Sequence, residues 1–285
     1  MRSMPPSLAS TTAPAAAFGP WRELAAAGAT ARMGFASTIS AWPVMAGRAL
    51  FYALIMLVLS AFWDKVSAGR VAGTLAQVLP AGGLAVYVGV TEWVTLSVVA
   101  VHLRLEDDIR SGLLEPHLLR PKAYLVQKAA EAFGGMAARL LVLGATALAL
   151  LALSGRAPPP IEAWPYVLVL GVLGAAIGVL LYLIVGLCAF WIRRVLPALL
   201  IVQKMMFLLG GLFAPISLYP GWLRSFAEAT PFAAHLAFAG QAVLTPSAEA
   251  FWRGLAWQGL WIVALALLAT VMWRAGLAKV LREGG

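Results

Sequence analysis

Acid–base, metal or covalent chemistry needs carboxylates, histidines or nucleophiles at set spacings, and this sequence of 285 residues holds few of them. His102, His117 and His235 are scattered, with no His–Glu pairing at metal-ligand spacing. Cys188 is the single cysteine, which excludes an intrachain disulfide or a cysteine-rich metal site. There is no G-x-x-x-x-G-K-[ST] loop to cradle phosphates and no nucleophile elbow. What remains are ionisable groups inside apolar runs: Glu92, Arg139 and Lys204. A charge in hydrocarbon either finds a partner or marks a transport path. Glu92 lies about 21 Å of helix from Glu106, and Lys204 about 15 Å from Arg194. Thr91, Thr95 and His102 share an arc of about 100° with Glu92, a polar face that should avoid lipid. Glu92 and Thr95 are therefore expected to meet Gln203 and Lys204 as an intramembrane charge pair, or to line a translocation path with them. Arg139, near the start of its apolar run, reads as a snorkelling side chain.

The elements that position these groups follow from composition. The chain is 62% hydrophobic and 12% charged, with a mean hydropathy of +0.87, where soluble domains run near half apolar and about a quarter charged. It reads as an integral membrane protein. The net charge of +9 then marks cytoplasmic loops rather than a nucleic-acid partner. Six apolar runs reach the length of about 20 residues that a crossing needs: Pro43–Trp63, Leu79–Leu103, Phe133–Ser154, Trp164–Trp191, Val195–Tyr219 and Gly254–Arg274. Continuous apolarity without alternation selects helices over a barrel, so the fold class is all-α and polytopic. Residues 1–20, rich in Pro, Ser, Thr and Ala, read as a disordered tail without a signal peptide. Residues 21–42 carry a weak stripe (Trp21, Leu24, Ala31, Phe35, Ile39) suited to a cytoplasmic interfacial helix. The transmembrane domain is expected over 43–285.

Lys and Arg set the orientation. Arg22, Arg32, Arg48, Arg104, Arg110, Arg120, Lys122, Lys128, Arg193, Arg194, Arg274, Lys279 and Arg282 fall on the side of the N-terminus, against Lys65, Arg70, Arg156, Arg224 and Arg253 on the other. That bias makes the first side cytoplasmic, with both termini on it. In the longest loop on that side lies EDDIRSGLLEPHLLRPK. Gly112 breaks the approach, Pro116 fits only a first helical turn, and Pro121 ends the segment. Between them LLEPHLLR forms about two turns, with Leu114 and Leu118 one turn apart. The form suits a knob that seats in a partner's groove; on pattern alone it also suits a loop lying on the headgroups. Beyond the fifth run, Phe213–Ser247 is long, proline-rich and greasy, which argues against a plain solvated loop.

The run DIRSGLLEPHLLRP resembles the cytoplasmic signature of ABC-2 type transporter permeases, Gly-x-Leu-Glu/Asp-x-x-Leu-Leu-x-Pro after the second span. It looks most like the subgroup described as ABC-2 family transporter protein. A second stretch, GLFAPISLYPGWLRSFAEATPFAAHLA, resembles that family's segment after the fifth span, with Pro215, Tyr219, Pro220, Trp222, Pro231 and Phe232 in place. The resemblance runs from about Arg48 to the C-terminus. It implies a coupling helix at Gly112, Leu113, Leu114, Glu115, Pro116, His117, Leu118, Leu119, Arg120 and Pro121. It also implies short re-entrant outer helices before the last span, a dimer with a second copy or a related permease, and a separate ABC ATPase that carries ATP and Mg. On this reading the chain is the permease of a bacterial inner-membrane exporter, in contact with membrane lipid, and neither an enzyme nor a nucleic-acid binder. The alternatives are weaker. A secondary transporter needs coupling carboxylates and an internal repeat, and a membrane-embedded enzyme needs a catalytic cluster.

Overall fold

A computed structural model describes residues 20–68, 82–112, 121–156, 158–212 and 214–283. Every regular element among them is helical: α1 (Pro20–Ser40), α2 (Trp42–Ala68), α3 (Gly83–Ser97), α4 (Val101–Arg110), α5 (Pro121–Leu153), α6 (Ala163–Leu187), α7 (Leu196–Leu209), α8 (Gly221–Glu228), α9 (Pro231–Leu244) and α10 (Ala248–Glu283). Single turns of 3-10 helix at Cys188–Phe190 and Ile216–Leu218 follow α6 and precede α8.

Among the described residues, five helical segments are long and apolar enough to cross a membrane: α2, α3 with α4, α5, α6 and α10. The fifth expected crossing, Val195–Tyr219, differs. Its helix α7 covers 14 residues, about 21 Å, which falls short of a hydrocarbon core of about 30 Å. Gly211 stops it with a left-handed φ of 69°, and the Tyr87 hydroxyl donates to the Gly211 carbonyl at 2.6 Å. An added Cβ at Gly211 would lie 2.8 Å from that hydroxyl oxygen.

The bundle is organised around α6, which packs against α3, α4, α5, α7, α9 and α10. Its glycines cut the grooves. A Cβ at Gly171 would strike the Trp93 ring at 2.4 Å, and one at Gly174 the His235 carbonyl oxygen at 2.2 Å. Such close approach is how helices associate where lipid gives no hydrophobic drive. The second groove receives α9, whose Ala233, Ala234, His235, Leu236, Ala237 and Ala239 are fully buried. Gln258 on α10 donates from Nε2 to the carbonyls of Leu170 on α6 and Ala234 on α9, at 2.9 and 2.8 Å.

Helix α1 lies across the first half of α5. Its alanines and glycines, which weaken its amphipathic pattern, form the contact. A Cβ on Gly34 would sit 2.2 Å from the Glu131 carbonyl oxygen, and one on Gly134 only 1.8 Å from that of Ala31. At the other end of the bundle, Arg156 and Asp64 join the α5–α6 turn to the end of α2 in a two-pronged ion pair, at 3.0 and 2.5 Å. Much of α2 and α10 is apolar and exposed (Leu50, Leu54, Leu57, Val263, Leu267), as suits faces turned to lipid or to another subunit.

Candidate coupling segment and intramembrane polar groups

Residues 113–120, the heart of the expected coupling helix, lie outside the described residues. Gly112, the last residue before them, has a left-handed φ of 72°, a conformation that glycine adopts without steric cost. Pro121, expected to end the segment, is the first residue of α5.

The helix that leads into the segment is α4, and the residues that hold it are explicit. Asp108 accepts from the Tyr124 hydroxyl at 2.5 Å and pairs with Lys128 at 2.7 Å, both on α5. Arg104 pairs with Glu131 one turn further along α5. On the opposite flank, the buried Glu106 carboxylate accepts from the Val195 backbone N–H at 3.4 Å, and Arg110 donates to the Arg193 carbonyl at 2.7 Å. Isolated exposed ion pairs contribute little. Here several act together on a helix of 10 residues, tying it to α5 and to the α6–α7 junction.

Between α3 and α4 the second crossing is broken. Val98 is extended, with ψ 131°, and Val101 N–H bonds to the Val99 carbonyl at 2.8 Å. A break exposes carbonyls that lipid cannot satisfy. Two arginines from other helices supply the donors: Arg48 on α2 reaches the Leu96 carbonyl at 3.1 Å, and Arg139 on α5 reaches that of Val98 at 2.6 Å. Arg139 therefore does not snorkel. Pattern reasoning misses this role because the break, residues 98–100, has neither Gly nor Pro to betray it.

The Glu92–Lys204 pair is not formed within the chain. Glu92 is 9% exposed, Lys204 is exposed, and no ion pair joins them among the described residues. The register explains it. Thr91 donates to the Leu212 carbonyl at 3.2 Å, beyond the end of α7, and Lys204, five residues before that end, lies about 8 Å of helix closer to the α4 end. Thr95 donates to the Thr91 carbonyl of its own helix at 2.8 Å. Gln203 is exposed beside Lys204 and reaches the Tyr182 hydroxyl at 3.4 Å. His102 lies beyond the break, edge-on to the Tyr182 ring. His235 is buried in α9, with Nδ1 donating to the Gly174 carbonyl at 2.7 Å.

The expected outer segment holds two helices joined by a tight turn. Pro215 precedes the 3-10 turn, and the Tyr219 hydroxyl donates to the Leu208 carbonyl at 2.7 Å, giving the end of α7 a partner. Pro220 precedes α8, Trp222 on it is exposed, Pro231 starts α9, and Phe232 packs into the core. Trp257 on α10 donates to the Glu228 carbonyl at the end of α8, at 2.9 Å.

Against known families, the model for the ABC-2 family transporter protein matches residues 74–284, well over half of the chain. The chain belongs to that family. Neither the curated proteins nor the solved structures give a match. As an ABC-2 transporter protein it is an integral membrane permease component of an ABC transport system, a transport subunit rather than a catalytic one. The family match covers α3 to α10, and with them the broken crossing, the α4 clamp and the α8–α9 insertion; α1 and α2 precede it.

Proposed function

We propose that this ABC-2 permease is the membrane half of an ATP-driven exporter in a bacterial inner membrane, with both termini cytoplasmic, driven by a separate ABC ATPase that binds ATP and Mg. Residues 113–120 dock that ATPase. The observation that carries the reading is the clamping of α4. A short helix fixed by Asp108, Arg104, Glu106 and Arg110 to two neighbouring helix systems moves with them as a unit, so a force delivered just after Gly112 reaches α5 and α6. The unwound turn at residues 98–100 then serves as the pivot between this lever and α3. In the same reading the translocation path forms between two permease subunits, and the exposed Gln203 and Lys204 of α7 face it.

Removing one apolar anchor from a helix-in-groove contact costs on the order of 2 kcal/mol. Leu118→Asp should therefore release the ATPase during purification in detergent while the permease stays in the membrane fraction. Unchanged co-purification together with unchanged transport-stimulated ATP hydrolysis would overturn the docking role.

A further inference from the structure

At the end of the bundle away from α4, a cavity of about 210 Å³ opens between the start of α6, the end of α9, the start of α10 and α8. Its floor is apolar: Leu170 and Phe238 lie there, and Phe251 stacks on Tyr166 with ring centroids 4.7 Å apart. Its rim is cationic. Arg224 and Arg253 line it, and none of its described lining residues is acidic. Arg224 uses only Nε on Glu228, at 2.9 Å, and the two terminal nitrogens of its fork make no hydrogen bond among the described residues. Arg253 has no ion pair among the described residues. With Glu228 offsetting one of the two guanidiniums, the cavity carries about one uncompensated positive charge, alongside the Gln241 amide.

Size limits the occupant. Pockets for drug-sized ligands run from about 300 Å³ upward, and this cavity falls below that range. That is room for one phosphate with a short polar attachment, not for a whole amphiphile. The rest of such a molecule has a surface to lie on. Trp222 and Trp252 are 74% and 65% exposed, each within two residues of a rim arginine. Exposed tryptophans of this kind mark the level where headgroups meet hydrocarbon. Guanidinium forks favour phosphate oxygens through paired, charge-assisted hydrogen bonds.

We propose that this cavity binds the headgroup of an anionic phospholipid from the adjoining bilayer leaflet, with the phosphate between Arg224 and Arg253 and the acyl chains outside along Trp222 and Trp252. The bound lipid bridges α8 to the start of α10, across the α9 insertion. The proposal rests on the membrane placement of these helices but not on the export reading or on any ATPase.

The test uses the full chain purified in detergent and titrated with phosphatidylglycerol or phosphatidylcholine, read as the thermal unfolding midpoint and as bound lipid by native mass spectrometry. Phosphatidylglycerol should raise the midpoint at lower concentration than phosphatidylcholine. Arg253→Gln, an exposed helical position, should keep the lipid-free midpoint and weaken the phosphatidylglycerol response by about tenfold. Arg253→Lys should retain the preference for the anionic lipid in weaker form. Equal responses to the two lipids, or an unchanged response in Arg253→Gln, overturn the site. Saturation by glycerol phosphate as readily as by phosphatidylglycerol would assign the cavity to a free anion and overturn the lipid. If Arg253→Gln lowers the lipid-free midpoint, the comparison moves to Arg224→Gln in the same titration, judged by the same outcomes.

Discussion

Arg139 on α5 donates to the carbonyl of Val98 at 2.6 Å, across the point where α3 gives way to α4. The bond converts an intramembrane cation from a burden into the partner of a carbonyl that the break leaves without its helical donor. A buried acceptor left without its partner costs about 1–3 kcal/mol. Arg139→Leu should therefore lower stability by about that amount. Arg139→Lys, which keeps one donor on a shorter reach, should fall in between. Thermal unfolding in detergent checks the order, and a neutral Arg139→Leu would return Arg139 to a snorkelling role.

The crossing of α1 over α5 has no room for side chains. Gly134→Leu must push the helices apart, because even a Cβ would lie 1.8 Å from the Ala31 carbonyl oxygen. Overpacking of this kind costs about 1–3 kcal/mol. Gly28→Leu makes a matched control, since nothing lies within 4 Å of a Cβ there. The expected result is a lower unfolding midpoint for Gly134→Leu alone. Similar midpoints for both variants would show that α1 does not hold this contact.

Glu92 and Lys204 supply a quantitative check on the register of α7. Residues that do not touch have additive effects to within about 0.5 kcal/mol. Glu92→Gln and Lys204→Met should therefore sum in a double-mutant cycle read by thermal unfolding of the purified single chain. A coupling energy above about 1 kcal/mol would mean that the two residues meet, within one chain or across a pair of chains.

Orientation is open to direct labelling. In a Cys188→Ala background, cysteine at the exposed Ser111 should resist an impermeant thiol reagent in intact cells. Cysteine at Gly221, whose Cβ position is clear of neighbours, should react. The reverse pattern would invert the Lys/Arg assignment.

The long crossings were legible because a run of about 20 apolar residues has few other uses. Their ends were not, since α5 and α10 continue beyond the lipid-like stretch: residues 121–132 are already helical at the start of α5, and residues 275–283 extend α10. The shortness of α7 had a local sign in the pair Gly210 and Gly211, which the apolar run around it outweighed. The break at Val98 had no local sign at all. It is held by Arg48 and Arg139, 48 and 41 positions from the carbonyls they bond, and partners that distant leave no periodic trace. The burial of α9 was equally hidden, because a stretch of alanines reads as featureless until the glycine groove on α6 is known. Of the ionisable groups singled out from the sequence, Arg139 finds its partner in a carbonyl of another helix, a pairing that only packing reveals.

The placement of α9 has a bearing on biogenesis. Its 14 residues pack on α6 and α3, made before it, and on α10, made after it, with Gln258 of α10 bonding both α6 and α9. A nascent chain that has reached only Leu244 thus carries an apolar segment still short of its last neighbour, and too short to cross the bilayer on its own. The last helix acts as a latch. Until it is inserted, the carbonyls of Leu170 and Ala234 lack the Gln258 amide that bonds both.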